Sequence, residues 1–206
     1  MISYYHKLIY LLPFALITGP FLPDLIVVLC ASFFLIDTFR FKLFYYYRNY
    51  FFKIFLFFLF FINLSSFFSN DLNTFVYTLG YIRYGVFAIF LFYILKNFNN
   101  SKFFLGYSII GAFVLLLVDG FTQFIFGKNL FFFELQMYNS ELSYVTSFFD
   151  DEKKLGSFLS RMLPLLLISF ILILQKYKKT QFYLVASLIT VLTFFLVFLT
   201  TERVAI

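Results

Sequence analysis

The sequence predicts an all-α, polytopic integral membrane protein, and three observations carry that prediction. Of 206 residues, 63% are hydrophobic and only 13% charged, whereas a soluble domain is nearer half apolar and a quarter charged. Apolar runs of the length a helix needs to cross a hydrocarbon core of about 30 Å recur along the whole chain. The connections between those runs alternate in charge, basic on one side and acidic on the other. The net charge of +6 is thus a topology signal. A nucleic-acid partner is not expected, because its groove would gather cations on one exposed face.

The first two runs, 4–18 and 22–39, are separated by Gly19-Pro20 and Pro23-Asp24, a turn-like break. They read as a short helical hairpin, with one long kinked helix as the alternative. A signal peptide over 1–18 is disfavoured, since no small-x-small cleavage site follows. Further spans are predicted at 51–69, 75–95, 103–118, 155–174 and 182–200, about seven helices in a single domain over 1–206. The basic connections hold Lys7, Arg40, Lys42, Arg48, Lys53, Lys96, Lys102, Lys176, Lys178 and Lys179. They belong in the cytoplasm by the positive-inside rule, which puts the N-terminus inside and the C-terminus outside.

Between spans five and six lies a long extracytoplasmic connection, 119–154. Its first part has helical apolar spacing, so an interfacial helix continuing the fifth span is predicted to stop at Gly127. Acidic residues at 150–152 precede the next helix, where they favour its N-terminus through the dipole. Gly156, Ser157 and Ser160 leave the top of that helix slim.

Against this frame, Arg83, Arg161 and Arg203 are anomalous. An ionised group inside a span costs several kcal/mol, roughly, and Arg normally gathers on the cytoplasmic side. Arg83 lies roughly 12 Å and Arg161 roughly 9 Å below the outer surface at 1.5 Å per helical residue, and Arg203 follows the last span. Snorkelling would bring all three heads to one outward vestibule, which calls for an anion. Each has a plainer reading. Arg83 pairs with a buried acid or with helix C-terminal carbonyls, Arg161 folds back onto Asp150, Asp151 or Glu152, and Arg203 anchors beside Glu202. The single Cys30 excludes an internal disulfide, and His6 reads as an interfacial residue. The many Phe and Tyr residues fit an AT-rich coding bias better than a ligand cage.

Asp119-Gly120-x-x-Gln123-x-x-x-Gly127, then Thr146-Ser147-Phe148-Phe149-Asp150-Asp151-Glu152, then Leu155-Gly156-Ser157-Phe158-Leu159-x-Arg161-x-x-Pro164 resembles the core of the O-antigen ligase and polymerase family. Thr200-Thr201-Glu202-Arg203, Tyr81-Ile82-Arg83-Tyr84 and the opening Thr18-Gly19-Pro20-Phe21-Leu22-Pro23 resemble further parts of it. Phe148 departs from the pattern, in which a glycine often precedes the aromatic. The resemblance implies a metal-independent glycosyltransferase of the bacterial inner membrane with no cofactor. Its substrate would be a glycan on undecaprenyl pyrophosphate, and its partners that lipid-linked glycan and membrane lipid. Arg161 and Arg203 would then hold the pyrophosphate, with Arg83 supporting it. Family members are longer and carry a large second outer loop with, in ligases, a catalytic histidine. An N-terminal fragment is therefore expected, with the catalytic residues unknown and no turnover by the chain alone. The alternatives are a transporter or channel for an anionic substrate, and a non-enzymatic membrane protein.

Overall fold

A computed structural model describes residues 5–68, 72–131, 134, 136–138, 142–149, 154–177 and 180–200. Among these, six helices are long and apolar enough to cross a membrane. The chain is an all-α, multi-pass membrane protein, with one short hairpin as its only sheet among the described residues. It divides into two compact units: residues 1–9 with 21–101, and residues 10–20 with 102–206.

In the first unit, α1 (Phe21–Phe41) and α2 (Tyr50–Phe68) are joined by a 3-10 turn, Leu43–Arg48. After α3 (Leu72–Leu79) and a break at Gly80-Tyr81 comes α4 (Ile82–Asn97). The sequence predicts one helix over 75–95, and the structure turns it at that glycine. Gly is the residue that lowers helix stability most after Pro, and here Arg83 N and Tyr84 N bond back to Gly80 O and Tyr81 O as in a 3-10 turn. Asp24 meets Arg83 near the start of both helices, while Phe34 meets Phe90 and Tyr93 towards their ends. Helices α1 and α4 therefore run parallel. Cys30, Phe34, Ile89, Phe90 and Ile94 form their buried seam. Helix α2 runs antiparallel to α3–α4, because Phe67 faces Phe75, Asn63 accepts a hydrogen bond from Thr78 Oγ1 at 3.0 Å, and Gly85 sits against the Phe55 ring. Only 11% of the α2 span is buried against protein, so its phenylalanines face lipid.

The second unit contains α5 (Ser101–Phe126), α6 (Leu155–Tyr177) and α7 (Thr180–Leu199). Gly106 of α5 lies over Ser169 of α6, and Gly120 of α5 lies against Leu196 of α7. Helix α6 is thus antiparallel to α5, and α7 parallel to it. Phe113, Leu116, Leu159, Leu166 and Leu196 fill the centre. Helix α5 runs without a break through the predicted span and interfacial segment, and stops before Gly127 at φ 75°, as expected from the sequence. That positive φ is the left-handed conformation a glycine supplies at a helix end.

The first predicted span, 4–18, is not one continuous α-helix. Residues His6–Leu11 form a 3-10 helix and Leu12–Ala15 a single α turn with Pro13 at its start. Pro13 lacks an N–H and starts a new turn rather than continuing an old one. Six helices among the described residues have the length and hydropathy to cross, where the sequence predicts about seven.

Candidate functional site

The segment 127–149 folds back over the end of α5 and is held there by a buried polar network. Asp119 and Gln123 project from one side of α5, one turn apart, and both are fully buried. The Asp119 carboxylate accepts from Leu130 N at 2.9 Å, from Ser147 Oγ at 2.5 Å and from Asn129 Nδ2 at 3.4 Å. Asn129 Nδ2 also donates to Ser147 O at 2.9 Å. Gln123 Oε1 accepts from Thr146 N at 2.9 Å and Ser147 N at 2.7 Å, while its Nε2 donates to Glu134 O and Thr146 Oγ1. Such groups are expensive to bury unpaired, and here each of these donors and acceptors has a partner. Strands β1 (Gln136–Tyr138) and β2 (Leu142–Tyr144) pair antiparallel, and ahead of them a Lys128–Glu134 ion pair at 3.0 Å closes the stretch that follows α5.

Beyond the network, Ser147 adopts φ 53° and opens the 3-10 turn Ser147–Phe149. That turn sends Phe148 onto Phe131 and Phe149 onto Phe158, with ring centroids 5.2 and 5.5 Å apart. Phe158 belongs to the first turn of α6, where Lys154 O accepts from Phe158 N at 2.9 Å and Ser157 Oγ at 3.2 Å. Residues 154, 157, 158 and 161 share one face, by the three-and-four spacing of an α-helix. Lys154 and Arg161 stand about 10 Å apart along the axis, at 1.5 Å per residue. Together with Phe149, Ser157, Phe158 and Met162 they line a pocket of about 450 Å³.

Arg161 is exposed on that pocket, and among the described residues no acidic side chain pairs with it. Asp150, Asp151 and Glu152, its plainer partners by sequence, lie outside the described residues, as does Arg203. Helix α7 ends beside the network, with Val145 N on Leu199 O. Arg161, with Lys154 and Ser157 beside it, therefore lines one side of the pocket, and aromatic and thioether surface the other. An anion attached to an apolar chain matches both walls.

Arg83 belongs to the first unit and has found an acid. Its Nη2 lies 2.8 Å from Asp24 Oδ1 and donates to Tyr84 Oη at 3.2 Å, while Tyr84 Oη donates to Asp24 at 3.2 Å. The guanidinium also sits 5.0 Å from the Tyr84 ring centroid. Arg83 and Asp24 are 59 residues apart in sequence, a separation that no local pattern reveals. Both side chains are over a third exposed, so the pair is worth about 0.5–1 kcal/mol. A double-mutant cycle of Asp24→Asn and Arg83→Gln, read by thermal unfolding in detergent, should return a coupling of about that size. A coupling of zero would reduce the pair to a contact without energy.

Sequence reasoning singled out Arg161 and missed Lys154 and Ser157 as its companions. Their helical spacing from Arg161 was the available signal. Among the described residues no three His, Cys, Asp or Glu side chains converge to hold a metal ion. Comparison with protein-family models, curated proteins and solved structures gives no match.

Proposed function

We propose that this chain is a membrane glycosyltransferase-like protein of the O-antigen ligase or polymerase type, which engages a glycan carried on polyprenyl pyrophosphate. The observation that carries the proposal is the Lys154–Ser157–Arg161 face of α6 opening onto a pocket whose remaining wall is aromatic. A pyrophosphate presents several anionic oxygens, and Arg recognises such oxygens with paired N–H groups. The N-terminal turn of α6 adds its own partial positive charge. The isoprenoid that follows the pyrophosphate would lie along Phe149, Phe158 and Met162.

In this reading the chain sits in the bacterial inner membrane, with the 119–154 connection on the extracytoplasmic side and the basic connections in the cytoplasm. Arg203, which follows α7 in the sequence, is proposed as a further cation for the pyrophosphate. Arg83, engaged with Asp24, mainly ties α1 to α4. The pocket binds and orients the lipid pyrophosphate, and the group that deprotonates the acceptor hydroxyl is not assigned.

Binding of undecaprenyl pyrophosphate to the chain in detergent tests the assignment. Removing one charge-assisted contact should cost about 1.5–3 kcal/mol, so Arg161→Gln is expected to weaken binding about tenfold to a hundredfold. Undecaprenyl monophosphate should bind more weakly than the pyrophosphate and lose less on the same substitution. Equal affinities for Arg161→Gln and the unsubstituted chain would reject the assignment. A chain that moves a small anion across vesicles without binding the lipid would favour the transport alternative.

A further inference from the structure

The opposite kind of charge anomaly lies in the first unit, around the 3-10 turn between α1 and α2. Since both neighbours are spans, this short connection must lie at a membrane boundary. It is not a loose loop. Tyr46 is buried and accepts a hydrogen bond from Asn97 Nδ2 at 2.8 Å, with its ring edge-on to Tyr93 at 5.1 Å. Tyr47 packs against Phe34 and Phe52, and its hydroxyl lies 3.3 Å from Thr38 Oγ1. Lys42 takes φ 55° to enter the turn, a left-handed conformation rare outside glycine.

That fixed frame leaves Phe44 and Tyr45 about half exposed, at 49% and 57%. It surrounds them with exposed Arg40, Lys42, Arg48 and Lys53. Lys96 of α4 joins them, with its Nζ 5.9 Å from the Tyr46 ring centroid. No Asp or Glu occurs between Thr38 and Phe68. The nearest acid, Asp37, is buried and accepts a hydrogen bond from Tyr5 at 2.6 Å. Five cations around a rigid aromatic step, with no exposed acid, form a surface complementary to phosphodiester headgroups at the level where aromatic rings prefer to sit.

We infer that this patch is a docking site for anionic phospholipid, recognised through its headgroup phosphate. The inference is independent of the pyrophosphate pocket, which lies in the other unit and uses none of these residues. A basic connection need only be basic to orient a helix. Here the cations are in addition held on a folded step whose buried half is anchored to three helices, so a bound headgroup meets a preformed surface.

The test is lipid retention by the whole chain. The chain is purified in neutral detergent with mixed phosphatidylglycerol and phosphatidylcholine, and the retained lipids are counted by native mass spectrometry. Phosphatidylglycerol should be retained preferentially, and increasingly lost as chloride is raised. Each of Arg40→Gln, Lys42→Gln and Arg48→Gln should lower the preference about fivefold. Arg40→Lys combined with Arg48→Lys should keep most of it, which separates lost charge from a damaged turn. Lys128→Gln, in the other unit, should change nothing. Equal retention of the two lipids, or an unchanged preference in the triple glutamine variant, would overturn the inference. So would selective displacement of the lipid by inorganic phosphate at matched ionic strength, since that would make the site one for the free anion. Loss of undecaprenyl pyrophosphate binding on Arg161→Gln leaves these outcomes unaffected.

Discussion

Asp119→Ala is expected to detach residues 127–149 from the end of α5 and to lower the stability of the second unit by about 3 kcal/mol. The substitution removes the acceptor of three hydrogen bonds in a fully buried position. Asn129 Nδ2 keeps its bond to Ser147 O, so it loses least. Ser147 Oγ is left buried without its acceptor, an orphan that costs about 1–3 kcal/mol, while Leu130 N lies on a half-exposed residue and loses less. Asp119→Asn should fall between. Its oxygen still serves Leu130 N, but its amide turns a donor toward Asn129 Nδ2. Thermal unfolding in detergent and limited proteolysis between Gly127 and Phe149 measure the two parts of the effect. If the alanine variant melts with the parent and its loop stays protected, the network does not fasten the loop. Because Ser147 leads directly to Phe149, the same variant should also weaken lipid pyrophosphate binding without touching the pocket.

The second large effect is steric. A Cβ built on Gly120 would stand 2.8 and 2.9 Å from the two methyl carbons of Leu196, which is fully buried. Alanine also gains about 1 kcal/mol of helix propensity over glycine, so Gly120→Ala should be nearly balanced. Gly120→Val adds two more methyls to the same gap and should cost about 2–3 kcal/mol through overpacking. Leu196→Ala alone should cost about 2–4 kcal/mol by leaving a cavity. The double variant should be more stable than the sum of its parts, because each change relieves the other. Strict additivity in thermal unfolding would show that α5 and α7 do not meet at this point.

The spans were legible in the sequence because hydropathy and length are sufficient to mark them, and the end of α5 was legible because Gly127 carries the expected left-handed turn. Hydropathy alone does not foresee that residues 5–18 form a 3-10 helix and a short α turn, with a proline that restarts the helix. It also misses the break at Gly80, since a glycine inside an apolar run is compatible with a continuous helix. At the site, Arg161 stood out because charge in an apolar run is visible one residue at a time. Asp119, Gln123, Thr146 and Ser147 stood out only as matches to a family pattern, and the structure gives these four an architectural task. Their bonds span up to 28 residues, a distance over which no periodicity speaks. Their part here is architectural, and the proposed chemistry must be tested at Lys154 and Arg161.

Helix α2 meets its neighbours through contacts that include Phe52 on Tyr47, Phe55 on Gly85, an Asn63–Thr78 hydrogen bond and Phe67 near Phe75, while only 11% of its span is buried. Elsewhere its aromatic side chains have the acyl chains as their solvent. The integrity of the first unit is consequently shared with its surroundings. Thin bilayers or short-chain detergents should loosen α2 before any other span, and the choice of amphiphile during purification becomes a determinant of which fold is measured.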